Sequence, residues 1–137
     1  MSPELQAFAT GFPTTLAHAA ISLIVLIAGG AAYGLLSPYR EVARVREGDV
    51  ASAAVFGGVL VGLAIPLALS LNASTSLVEV ALWGVATTAV QLLVFRLIDL
   101  VLRGLPQRAA EGEIAAAVLL AAARLAAALI VAAAVSG

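Results

Sequence analysis

Four stretches of the chain are apolar almost without interruption, and polar residues gather in the short pieces between them. The stretches run from about Thr14 to Ser37, Val50 to Leu71, Leu77 to Arg103 and Ile114 to Ser136. A hydrocarbon core about 30 Å thick is crossed by about 20 apolar residues in a helix, so each stretch is long enough to span. Ser37-Pro38 ends the first, because proline cannot continue a helix and restricts the residue before it. Gly104 and Pro106 end the third, and Glu111-Gly112-Glu113 precedes the fourth. The expected fold is all-α: four transmembrane helices arranged as tandem two-helix hairpins.

Residues 1–13 read as a separate short segment. Ser2 suits a helix cap and Pro3 the first helical position. Leu5, Phe8 and Phe12 share one face at helical spacing, which predicts a short helix lying on the membrane surface, with a disordered tail as the alternative. Residues 14–71 then form the first hairpin and 77–137 the second. The first span reads as a retained anchor and not a secretory signal, since no Lys or Arg precedes it and Ala17-His18-Ala19 stands before the apolar run.

Composition supports the membrane reading. Of 137 residues, 63% are hydrophobic and 11% charged, far less charge than the roughly one quarter of a soluble domain. A soluble fold with this balance would expose large apolar patches. The net charge of −1 provides no basic field for nucleic acid. Cysteine is absent and His18 is the single histidine, so thiolate sites, disulfides and two-histidine ligation within one chain are excluded. No Gly-rich phosphate loop or Ser-His-acid set is present. The chain reads as a non-enzyme with no catalytic, cofactor-binding or metal-ligating residues.

All seven basic residues are arginines, and their placement orients the chain. Arg40, Arg44 and Arg46 follow the first span; Arg103 and Arg108 follow the third. The positive-inside rule puts both connectors on the cytoplasmic side and both termini outside. Glu41 and Arg44 are spaced to pair on a connector helix. Gly48-Asp49-Val50-Ala51-Ser52-Ala53 aligns with Gly112-Glu113-Ile114-Ala115-Ala116-Ala117, an internal repeat at an offset of 64 residues. A unit with two spans repeats in one orientation, as in parallel-repeat transporters. Asp49 and Glu113 suit the positive end of a helix dipole.

Small residues mark packing faces, since helices in lipid associate where backbones approach closely. Gly30 and Gly34 form one such pair, Gly58 and Gly62 another. Association as a homo-oligomer, or as a subunit of a larger membrane complex, is expected. Ionisable groups at membrane depth are functional candidates by default. Gln91 and Arg124 fall near the middle of the third and fourth spans, at similar depth, and are placed to hydrogen-bond. Arg96 and Asp99 share a face of the third span and are placed to pair with each other. Pro66 interrupts the second span's hydrogen bonding and marks a kink. An arginine at mid-membrane costs about 2.5–3.5 kcal/mol on insertion scales, so something must offset Arg124: either a buried network with Gln91 and backbone or a snorkelling side chain, or an anion, lipid headgroup or permeating solute held between subunits.

The run Gly48–Leu71, with Asp49-Val50-Ala51-Ser52-Ala53-Ala54, Gly57-Gly58, Gly62 and Ile65-Pro66, resembles the YjfL family of small bacterial inner-membrane proteins. Ala89-Val90-Gln91-Leu92-Leu93-Val94-Phe95 and Glu113-Ile114-Ala115-Ala116-Ala117 carry the same resemblance, which covers residues from roughly 15 to 136. It implies a domain of unknown function in the bacterial inner membrane, in an envelope-stress setting. Members often carry Asn where Asp49 and Glu113 stand, and Arg124 is not part of the resemblance. Two functional classes follow from the residues: a non-catalytic membrane component that packs with itself or a larger complex, and a small channel or transporter with a pathway near Arg124 and Gln91.

Overall fold

The Ser2 hydroxyl accepts from the Leu5 amide at 3.3 Å and starts a helix that does not stop until Leu36. A computed structural model describes residues 2–136; Met1 and Gly137, the ends of the expected segments, lie outside the described residues. Helix α1 (Pro3–Leu36) has 34 residues, about 51 Å at 1.5 Å per residue. The surface helix expected over residues 1–13 is therefore not a separate element: the chain runs through Pro13 as one helix. A proline removes only one backbone donor, and no neighbouring element packs there to turn the chain, since residues 2–16 are all exposed. Phe8 and Phe12 stack one turn apart, with centroids 4.8 Å apart.

At its other end the Ser37 amide bonds the Tyr33 carbonyl, and Pro38 terminates α1. A six-residue connector helix, α2 (Glu41–Arg46), follows, then α3 (Val50–Ala73) and, after a tight turn, α4 (Leu77–Val101). That turn is closed on both sides: the Ser76 hydroxyl accepts from the Glu79 amide, and the Glu79 carboxylate accepts from the Thr75 amide and hydroxyl. A second six-residue helix, α5 (Leu105–Ala110), leads to α6 (Ile114–Ser136). Four helices, α1, α3, α4 and α6, are long and apolar enough to cross a membrane. Helices and short connectors account for the described residues, with no strand among them.

The two connectors share a backbone plan. Arg40 and Gly104 have positive φ, as do Gly48 and Gly112, and in both cases the partners lie 64 positions apart. The Gly48 amide bonds Val45 and the Asp49 amide bonds Arg44; the Gly112 amide bonds Ala109 and the Glu113 amide bonds Arg108. Glycine is suited to the left-handed exit from each short helix, where a Cβ would crowd the carbonyl. The expected Glu41–Arg44 pair does not form. Arg44 donates to the Ala110 carbonyl and ties the connectors together, while Glu41 turns inward. The acids of the helix starts have side-chain partners as well: Asp49 accepts from the Ser52 hydroxyl at 2.6 Å, and Glu113 pairs with Arg108.

The Arg108–Glu113 pair is exposed, so water screens it. The hydrogen bond from Arg108 still holds the Glu113 carboxyl below the ordinary glutamate range. A depressed carboxylate adds stability above its unfolded pKa and loses it as pH falls through the folded one. Carboxyl NMR titration should find Glu113 titrating below an ordinary glutamate and returning to the ordinary value in Arg108→Gln.

Packing centres on α3 and α6, which make the most extensive contact. A Cβ at Gly58 would lie 2.8 Å from the Ala121 Cβ and 3.1 Å from its Cα, so these two backbones approach as closely as glycine permits. Helices α1 and α4 lie against this pair and each other. Two clusters form the core. Ala51, Val55, Ala109, Ala117 and Leu120 fill the connector end, and Tyr33, Val59, Leu63 and Phe95 lie beside them.

Candidate functional site

Helix α6 buries a stripe of Ala117, Leu120, Arg124, Ala128 and Ala132. Four of the five are small or aliphatic; the fifth carries a full charge. Arg124 is 1% exposed, so lipid and water are both kept from it. Its guanidinium is held from three sides. One terminal nitrogen donates to the Tyr33 hydroxyl at 2.9 Å, and the other to Asp99 Oδ1 at 2.7 Å. The rings of Tyr33 and Phe95 lie 5.2 and 5.4 Å from the guanidinium carbon, within cation–π range. The planar fork of arginine fits this arrangement, since two donors reach two acceptors while the flat face rests on rings.

The network continues toward the connectors. Tyr33 accepts from Arg124 and donates its own proton to Glu41 Oε1 at 2.9 Å, where the Ser37 hydroxyl also donates at 2.9 Å. Residues from α4, α6, α1 and α2 are thus joined in one chain: Asp99, Arg124, Tyr33, Glu41.

Two pairings expected from the sequence are replaced. Asp99 does not bond Arg96; it faces Arg124. A carboxylate offered an exposed arginine and a buried one contributes far more at the buried one, where an unmatched charge is costly. Arg96 is exposed and makes no hydrogen bond or ion pair among the described residues. Gln91 does not meet Arg124. Side chains on a helix lean toward its N-terminus. In α6 that is the connector end, so the arginine reaches Asp99, two turns below Gln91. Gln91 is fully buried, and neither its amide oxygen nor its nitrogen has a partner among the described residues; Thr88 Oγ1 and Ser22 Oγ are also without one.

The glycines divide by surroundings. Gly58 meets Ala121, and a Cβ on Gly62 would lie 2.8 Å from the Phe95 ring. Gly30 faces Leu60, but Gly34 has open space around it; the tight position on α1 is Gly29, against Thr88 of α4. Pro66 is buried inside α3, which continues through it. Tyr33 entered the site without being singled out in the sequence, while Glu41 had been read as a surface partner of Arg44 and Ser37 only as the end of the first span. The available signal was slight: Tyr33 is the one aromatic hydroxyl within an apolar run.

A cleft of about 410 Å³ opens beside the network between the end of α1 and the outer side of α4. Tyr33, Phe95, Arg96 and Asp99 line it. Asp99, with its side chain 21% exposed, is where the buried network meets the surface.

Four apolar helices around an interhelical ion pair define a small multi-pass membrane protein. The chain belongs to the family described as Domain of Unknown Function (DUF350), whose model matches residues 7–135. Comparison with curated proteins and with solved structures gave no match.

Proposed function

We propose that the protein is a non-catalytic component of the bacterial inner membrane that associates with copies of itself or with a larger membrane complex, and that Arg124 is a structural clamp. The observation that carries this reading is the closure of the site. Both terminal nitrogens of Arg124 are bonded within the chain, and the residue is sealed at 1% exposure. A solute-binding arginine needs an open approach. The matched backbone plan of the two connectors supports two tandem hairpin repeats, and the arginines of both connectors support a cytoplasmic location with the termini outside. Open space at Gly34, beside the exposed apolar residues Ile27 and Leu35, supports packing against another helix.

A second reading, a small channel or transporter, draws on the unpartnered amide of Gln91, because a buried amide normally finds water or protein. Ion and solute flux in liposomes containing the purified protein separates the two. The clamp reading expects flux no greater than in protein-free vesicles. Flux that is present in the wild type and lost in Arg124→Lys, with the variant still folded, would assign the arginine to a pathway.

A further inference from the structure

Two arginines near the connector end of α4 have no partner among the described residues. Arg96 and Arg103 are exposed and make no hydrogen bond or ion pair there. Arg96 lies five residues from the end of α4, about 7–8 Å below it at 1.5 Å per residue. In a 25-residue helix crossing a core about 30 Å thick, a guanidinium that far from the end is costly unless it reaches an anion or water.

Both arginines border one continuous groove. The cleft of about 410 Å³ is lined by Leu36, Leu92 and Leu93 together with Tyr33, Tyr39, Arg96 and Asp99. A second cleft of about 270 Å³ continues past Arg96 to Arg103 and Gln107, and the two share Pro38, Tyr39, Arg96 and Asp99. Among the described residues Asp99 is the one carboxylate on the groove, and Arg124 matches it from within. Arg96 and Arg103 therefore set the sign of the groove. The result is greasy toward the bilayer centre and cationic toward the connectors.

We propose that this groove holds one anionic phospholipid of the connector-side leaflet, its phosphate between Arg96 and Arg103 and an acyl chain along Leu36, Leu92 and Leu93. Guanidinium forks suit phosphate oxygens through paired charge-assisted hydrogen bonds, and basic pockets between membrane helices are known seats for lipid headgroups. A free phosphate matches the arginines but leaves the leucines unused; an uncharged lipid does the reverse. The proposal holds whichever way the chain faces across the membrane, and it goes beyond the clamp reading, since Arg124 does not touch the lipid.

Native mass spectrometry of the whole detergent-solubilised chain tests it, with phosphatidylglycerol, diacylglycerol of the same acyl chains, and inorganic phosphate as probes. Phosphatidylglycerol should be retained at least about tenfold more tightly than diacylglycerol, the loss that two charge-assisted contacts predict. Inorganic phosphate should not compete at equal concentration. The preference should vanish in Arg96→Ala/Arg103→Ala and persist in Arg46→Ala, which removes an exposed arginine away from the groove. Equal retention of the two lipids, competition by phosphate alone, or an equal loss in Arg46→Ala would each overturn the proposal. The comparison of lipids on the wild-type chain decides the matter even where the double variant fails to fold.

Discussion

Asp99→Ala should be the more damaging of the two ways to break the buried ion pair. It leaves Arg124 charged and sealed at 1% exposure, with one end of its fork empty. Arg124→Leu instead leaves Asp99, whose side chain is 21% exposed and borders a cleft, so its carboxylate can recruit water or Arg96. Removing one partner of a buried pair typically costs about 3–5 kcal/mol, whereas interhelical polar couplings in membranes run lower, at about 0.6–1.7 kcal/mol. The near-complete burial of Arg124 places Asp99→Ala at about 3 kcal/mol, at the lower end of the buried-pair scale. Arg124→Leu should cost about half as much, because removing the arginine also removes its roughly 2.5–3.5 kcal/mol insertion penalty. The double variant Asp99→Leu/Arg124→Leu should recover most of the loss, since a pair of apolar residues needs no matching. Unfolding by SDS in mixed micelles measures all three. An Asp99→Ala effect equal to or smaller than that of Arg124→Leu would contradict the account of the network.

Gly58→Leu should separate α3 from α6. The first added carbon meets the Ala121 Cβ at 2.8 Å and its Cα at 3.1 Å. A backbone atom has no rotamer to turn away, so the helices themselves must part. Overpacking costs about 1–3 kcal/mol where side chains can adjust; here the upper end is expected, with loss of the most extensive helix contact in the fold. Gly11→Leu, at an exposed position of α1 that no helix packs against, is the matched control. Nothing lies within 4 Å of its added Cβ, so the change in fold stability should stay within about 0.5 kcal/mol, as for open surface sites. The same micelle unfolding distinguishes them, and equal effects at the two glycines would mean that α3 and α6 do not approach as described.

The four spans were legible because lipid imposes one simple demand: a long apolar run with its backbone bonds closed inside a helix. Gly48 and Gly112 stood out in the sequence only as matching positions of two similar runs; that each ends a short helix with positive φ was not legible there. Partnerships were harder. Spacing along α4 displays Arg96 and Asp99 together, but whether Asp99 turns to its own helix or to α6 depends on how the helices lie against each other. Depth alone paired Gln91 with Arg124. The arginine's lean toward the start of its own helix carried the charge to Asp99 and Tyr33 instead. Tyr33 and Glu41 were hidden by type. A tyrosine near a span end reads as an interfacial anchor, and a glutamate in a basic connector reads as a surface ion-pair partner. Burial of Glu41 beneath α2 became visible only once that helix was folded back onto α3. The continuous α1 differs from the expected interfacial segment because an amphipathic pattern shows which face prefers lipid, not whether the helix bends to present it.

The central claim is that the interior around Gln91 and Arg124 is sealed from water. The chain has no cysteine, so a single thiol at a chosen position can be read without background. Gln91→Cys, embedded in membrane vesicles and treated from both sides with a charged, membrane-impermeant thiol reagent, is the direct measurement. The account predicts no modification of the Gln91→Cys variant under conditions that fully modify Arg46→Cys, whose thiol stands at an exposed connector position. Rapid modification at position 91 from either side would show a wet path through the bundle and contradict it.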